Sequence, residues 1–213
     1  MVAHLDPIAF RAYLASAFPS ADPDDHPIDF GPVHLRFELG APHPNGSDER
    51  IAQATERATT IFGDLFLQDE QLTLIIKNWD WTGRELFPGT PGYLASLIHC
   101  PASDRFVEVI TQRRSDGEEY SHEQIVLSVF VQDLDCRSIF RGKAHLEQGR
   151  EPRINESVYF VSSARSLAFY MYDDRGCLVF ADRADKLRPL YLNRRSWLVD
   201  PDSRDWDQLF VNE

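Results

Sequence analysis

The amino-acid sequence predicts an α+β fold, a largely antiparallel sheet of about six or seven strands packed by helices into a single layered domain over residues 1–213. Three observations predict it. Short segments with the two-residue apolar alternation or the unbroken apolar run of a strand recur along the chain, and longer segments between them carry apolar stripes at helical spacing. At 167–180 two strand patterns flank Tyr172-Asp173-Asp174-Arg175-Gly176 with no room for a crossover, so they must fold back as a hairpin.

Taken in chain order, Asp6 and Pro7 read as an N-cap and a first-turn proline, and Phe10, Tyr13, Leu14, Ala17 and Phe18 share one face of the helix that follows. The stretch 19–32, rich in Pro and Asp, reads as a surface loop. Val33, Leu35, Phe37 and Leu39 alternate with His34, Arg36 and Glu38, giving a strand with one buried and one polar face. Ser47 is placed to cap a helix whose stripe is Ile51, Ala54, Ala58, Ile61, Phe62 and Leu65. Residues 72–77 are apolar on both faces, as an interior strand covered on each side requires. Trp79-Asp80-Trp81 ends that strand, and the Gly- and Pro-rich stretch 82–91 is a loop able to cover or flank a site. A short helix is expected at 93–98.

Two further strands, 105–112 and 122–131, are joined by a polar loop centred on Asp116-Gly117. Asp135 can cap a helix running to about Gln148, which Gly142 weakens by ~1 kcal/mol relative to Ala. After a strand at 158–161 comes the hairpin. Leu167, Phe169 and Met171 face one way and Ala168, Tyr170 and Tyr172 the other, while Cys177 and Val179 alternate with Leu178 and Phe180. An aspartate that bonds its own backbone and a glycine with positive φ suit a type I turn closed by a glycine bulge. Such a turn is expected to project Asp173, Asp174 and Arg175 from the end of the sheet. Asp182 is expected to cap a helix holding Leu187, Leu190 and Tyr191, bent or split at Pro189. Asp200-Pro201-Asp202 reads as the start of a last helix with Trp206, Leu209 and Phe210 on its apolar face.

Composition narrows the function classes. A formal net charge of −12 and a pI near 5.0 argue against a nucleic-acid ligand, which needs clustered cations, and suit a basic protein partner. Cys100, Cys136 and Cys177 are odd in number, far apart and never in a CxxC spacing, so they read as reduced thiols, not as a disulfide framework or a zinc site. No apolar run approaches the ~18 residues of a membrane helix and the N-terminus lacks a signal pattern, so a cytoplasmic protein without membrane contact is expected. Gly-rich phosphate loops, the GxSxG elbow and HExxH are absent, and no cofactor or metal is expected.

The segments SVYFVSS, FYMYDDRG, LRPLY, SWLVD and DQLF between 156 and 210 resemble the C-terminal half of a bacterial family known as domain of unknown function 3885. HLRFELG and ERATTIFGDLF resemble its N-terminal half, so the likeness spans most of the chain. That resemblance implies one integrated domain and brings no activity with it. Where the family usually has Asp two residues after the turn glycine, this chain has Leu178, so a role needing a third carboxylate there does not carry over.

Candidate sites follow from side-chain chemistry. Asp173 and Asp174 can ligate a divalent cation and Arg175 can clamp an anion, or all three can simply be polar residues of a wet turn. Arg36 and Glu38, beside His34, can bind an anion or relay a proton, or form a solvated face. Trp79 and Trp81 offer an aromatic platform for a ligand or partner, or divide between core and rim. His99-Cys100 with His122 or His145 is a cysteine-nucleophile reading, set against a buried inert thiol. The favoured function is a non-catalytic protein that binds a partner protein, concretely an immunity protein neutralising a basic toxin, with Asp22, Asp24 and Asp25 as further contacts. The alternatives are a small-molecule or phosphoester enzyme using Asp173, Asp174 and Arg175, and a ligand-binding regulatory domain built on 79–92.

Overall fold

Seven strands form one antiparallel sheet: β1 His34–Glu38, β2 Gln71–Asn78, β3 Arg105–Arg113, β4 Glu119–Phe130, β5 Ser157–Ser162, β6 Leu167–Asp173 and β7 Gly176–Ala181. Their order across the sheet is β1-β7-β6-β5-β2-β4-β3. A computed structural model describes residues 7–25, 27–78, 88–100, 105–113, 119–200 and 210. The helices are α1 Pro7–Ala17, α2 Asp48–Leu65, α3 Tyr93–Ser96, α4 Cys136–Leu146 and α5 Arg188–Arg194. The architecture is α+β, as the alternation of the sequence predicts.

The sheet is covered on both faces. α2 and α4 lie on one face, where Phe62 packs edge-on against Phe160 (5.1 Å) and Phe140 (5.5 Å) and all three join the core formed by Leu35, Phe37, Phe169, Met171, Cys177 and Val179. Their caps are side-chain oxygens: the Arg50 N–H donates to Ser47 Oγ (3.2 Å) and the Ser138 N–H to Asp135 Oδ1 (3.1 Å). α1 covers the other face with Phe10 and Leu14, against Ile75, Val126, Tyr159, Ala168, Tyr170 and Phe180. The stretch 19–32 is not only a surface loop. Its Ile28 and Phe30 are buried in that second core, because α1 alone is too short to cover an apolar face six strands wide; Phe30 meets Phe18 at 5.2 Å and Phe180 at 5.2 Å.

β2 is the interior strand, hydrogen-bonded to β4 and β5, with all six residues between its ends buried. Gly142 is tolerated in α4 because a Cβ there would meet Ile154 Cγ1 at 2.9 Å, so the missing side chain is what lets the 150s segment pack against the helix. The helix expected after Asp182 is instead a 3-10 turn, Ala184–Lys186, followed by α5 with Pro189 in its first turn. Asp182 pairs with Lys186 (2.7 Å) and does not cap. Asp6, the segment 79–87, the centre of the β3–β4 loop and residues 201–209 lie outside the described residues; Phe210 stacks on Tyr191 at 4.9 Å.

The two edges of the sheet are finished differently. On β1, Phe37 bridges to Leu198 and the Val199 N–H donates to the Arg36 carbonyl (3.1 Å), so the chain's own C-terminal part closes the edge. Among the described residues nothing pairs with the outer edge of β3. Among them, too, no helix is long and apolar enough to cross a membrane.

Candidate functional site

The hairpin between β6 and β7 forms, with a two-residue turn at Asp174 and Arg175, but it does not project its charges into solvent. Asp173 is 4% exposed and Asp174 1% exposed; only Arg175 is open to water. Asp173 Oδ1 accepts the Arg175 N–H (2.7 Å), the local backbone bond expected of a turn aspartate, and Oδ2 accepts Arg175 Nε (2.9 Å). Asp174 is paired through Oδ2 with Arg50 of α2, whose side chain is also nearly sealed from solvent and which donates from Nη1 to the His43 carbonyl (2.9 Å). Asp174 Oδ1 has no hydrogen-bond partner among the described residues. The buried turn has a physical cause: it lies against the N-terminus of α2 and the C-terminus of α4, so its carboxylates are desolvated, and Asp174 takes its cation from α2 while Asp173 takes Arg175 of the turn itself. Asp173 and Asp174 in turn hold the neighbouring Glu147 carboxyl above its usual range, after burial itself, while Arg175 draws it down.

Gly176 does not adopt positive φ, and the irregularity lies before the turn, between Met171 and Asp173. The glycine is needed for space. A Cβ there would run into the Tyr172 hydroxyl and meet the Phe37 carbonyl oxygen at 2.6 Å.

On β1, Arg36 donates from Nε to the Tyr172 hydroxyl (3.1 Å) with its guanidinium 5.6 Å from that ring centre. Glu38 Oε1 accepts the N–H groups of Gly40 (3.1 Å) and Ala41 (3.0 Å), and His34 lies 5.6 Å from the Phe180 ring. Glu38 pairs with Gly176 across the strands, so the two candidate clusters are neighbours along the backbone. Their side chains nonetheless leave the sheet on opposite faces, Asp173 and Asp174 toward α2 and α4 and the β1 trio toward the Tyr172 side. A shared cleft of Asp173, Asp174, Glu38 and Arg36 therefore does not form.

The family described as a domain of unknown function, DUF3885, matches residues 10–202, which includes every element from α2 to α5. The chain belongs to this family. A Bacillus subtilis (strain 168) protein named "Uncharacterized protein YnaE" is 24% identical over 155 residues, covering 68% of this chain and 73% of that protein. No solved structure matches. In this DUF3885 chain the YDDRG segment is thus the packing joint between sheet and helices, and Leu178 faces the second core.

Of the remaining candidates, Trp79 and Trp81 lie outside the described residues. The thiols of Cys136 and Cys177 are pushed up by burial, Cys136 to about 12, which keeps both protonated and unreactive at neutral pH. No group of three His, Cys, Asp or Glu side chains is arranged to hold a metal among the described residues. The acidic N-terminal loop is anchored in part: Asp24 accepts from Arg11 (2.9 Å), Arg11 also reaches Glu108 (2.9 Å), and the Asp25 backbone carbonyl accepts the Lys77 ammonium, while Asp22 and Asp25 are exposed.

Three features escaped sequence reasoning. Lys77 and Lys143 are buried lysines, each lowered from 10.5 to about 8 by desolvation. Lys77 sits in a run otherwise read as apolar, and Lys143 Nζ donates to the Glu156 carbonyl (3.1 Å) behind the turn. A cleft of about 680 Å³ between α2 and α4 is lined by Arg137, Arg141 and His145, and the i, i+4, i+8 spacing of these three on one helix was a readable signal. The third is the open edge of β3, where Val107 is 52% and Val109 69% exposed.

Proposed function

We propose that this protein is a non-catalytic binding domain whose partner is a protein, and that the partner docks by adding an extended strand to the free edge of β3. The observation that carries the reading is the exposure of Val107 and Val109 on a nine-residue edge strand with no described neighbour on its outer side. Such an edge offers a row of unspent backbone donors and acceptors, and natural proteins usually blunt it with charge, proline or a covering segment. The flanking surface supports the same reading. A cleft of about 340 Å³ opens beside the edge, with Ile76, Leu94, Ile98, Ile125 and Leu127 in its walls, so alternate apolar side chains of an incoming strand have somewhere to go.

The net charge of −12 favours a basic partner by speeding encounter and excluding acidic competitors. An immunity protein that neutralises a basic toxin fits that description, with a cytoplasmic setting. Asp173 and Asp174 are not part of this interface, since their carboxylates are held inside the fold, and Asp24 is engaged by Arg11. The test is co-expression with the products of adjacent genes. A stable complex that is lost in Val109→Lys, together with relief of any toxicity of that product, is the expected result. Complex formation unaffected by Val107→Lys and Val109→Lys would remove β3 from the proposal, and the absence of any complex or protection would remove the immunity reading.

A further inference from the structure

The groove between α2 and α4 encloses about 680 Å³, and its chemistry runs against that of the whole chain. Lys and Arg make up 22 of 213 residues overall, yet Arg137, Arg141 and Arg150 are three of the ten residues lining this groove. It is open because α2 presents Ala52 and Thr55 where larger side chains would fill the space between the helices.

The cations are not consumed by each other's neighbours. Arg137 meets Glu56 (2.7 Å) in a pair with both side chains largely solvated, and such a pair is weak and readily exchanged. Arg150 reaches Asp48 (3.0 Å) and the Gly46 carbonyl (3.2 Å). Arg141 has no carboxylate partner among the described residues; its one bond there runs from Nε to His145 Nε2 (3.4 Å). His145 is buried, and its Nδ1 lies 2.8 Å from the Pro152 carbonyl. Nδ1 therefore carries the proton and Nε2 is left as an acceptor, which holds the Arg141 guanidinium in place while its Nη groups stay unspent. Of the two acids in the lining, Glu151 is turned to Arg153 (3.2 Å) and to the Thr90 hydroxyl, and Asp48, largely solvated, holds Arg150 only in a weak pair that an incoming anion can displace. The first turns of α2, whose N–H groups give that end a partial positive charge, line the same groove.

We infer that this groove is a binding site for a small phosphomonoester, with Arg141 and Arg150 clamping the phosphoryl oxygens and the Ile51–Ala52 wall receiving the organic part. A planar guanidinium with two free Nη groups suits a tetrahedral oxyanion in a bidentate fork, and the volume suits a small organic ligand better than a bare ion. This site is remote in chemistry from the apolar β3 edge and does not rest on the partner-binding reading.

Isothermal titration of the full chain at low ionic strength tests it, with ribose 5-phosphate, inorganic phosphate and acetate as probes. Expected are saturable binding of ribose 5-phosphate, weaker binding of phosphate, and no binding of acetate, with affinity falling about tenfold or more in Arg141→Gln, a loss typical of removing one charge-assisted fork. Arg194→Gln, which breaks the pair with Asp64 on α2 away from the groove, should bind as the parent does. Arg141→Lys keeps the charge without the fork and should bind at reduced strength, so it answers the question even if the Gln variant melts early. No heat from either phosphate probe at ten times the millimolar range, equal binding of acetate, or undiminished affinity in both Arg141 variants would overturn the inference.

Discussion

The two edges of one sheet have been treated in opposite ways. At β1 the backbone edge is closed by the 198–199 segment, the polar side chains Arg36 and Glu38 are engaged locally, and the adjoining turn is locked to α2 through Arg50 and touches the end of α4 through the Arg175–Glu147 pair (3.3 Å). At β3 the edge is longer, carries exposed valines and has no described partner strand. The difference teaches where charge is structural and where surface is available. Charged residues near β1 hold the fold together, whereas the surface proposed to receive another chain is apolar and lies about the full width of the sheet away.

If that contrast is right, the largest effects should come from the β1 side. Arg50→Met leaves the Asp174 carboxylate buried without its cation and is expected to destabilise by about 3–5 kcal/mol in urea unfolding, while Arg50→Met with Asp174→Leu recovers a good part of the loss. Equal losses in the single and double variants would break the account of this joint.

Lys143 sharpens the comparison through pH. Its folded pKa of about 8 lies below the usual 10.5, so between those values the unfolded chain holds more protons and stability rises with pH; below about pH 8 the cost of the buried charge is present in full. Lys77, on the other face, contributes in the same window. Lys143→Met should therefore stabilise by roughly 1–3 kcal/mol at pH 7 and flatten the rise between pH 8 and 10.5, a gain reduced by the orphaned Glu156 carbonyl. Urea midpoints across that range decide it, and an unchanged slope would show that Lys143 is solvated.

Gly176→Ala is expected to cost about 1–3 kcal/mol because the new methyl must displace the Tyr172 hydroxyl and the Phe37 carbonyl. A thermal melt equal to the parent's would mean that the turn relaxes freely. Smallest of all is Val109→Lys, which should move stability by less than about 1 kcal/mol while abolishing partner capture. A large loss of stability there would mean that the edge is covered by the chain itself.

Much of this was legible in advance. The period-two alternation of Leu35, Phe37 and Leu39 against Arg36 and Glu38 matched the burial along β1, and Ser47 and Asp135 took their predicted caps. Leu167, Phe169 and Met171 entered one core and Ala168 and Tyr170 the other. The stretch 19–32 misled because Pro and Asp report turn chemistry and say nothing about whether Ile28 and Phe30 between them are buried. Asp173 and Asp174 misled for a related reason. Turn residues are usually wet, and only the arrival of α2 and α4 over this turn removed the water.

Periodicity determined which segments are strands and helices and which side chains share a face, because the pleat and the helical turn are local geometry. Tertiary structure alone decided the sheet order, the closure of one edge and the openness of the other, and the partner of Asp174, which is an arginine 124 residues away. Local patterns carry no information about contacts at that separation; those are selected by how whole faces fit together when the two cores close.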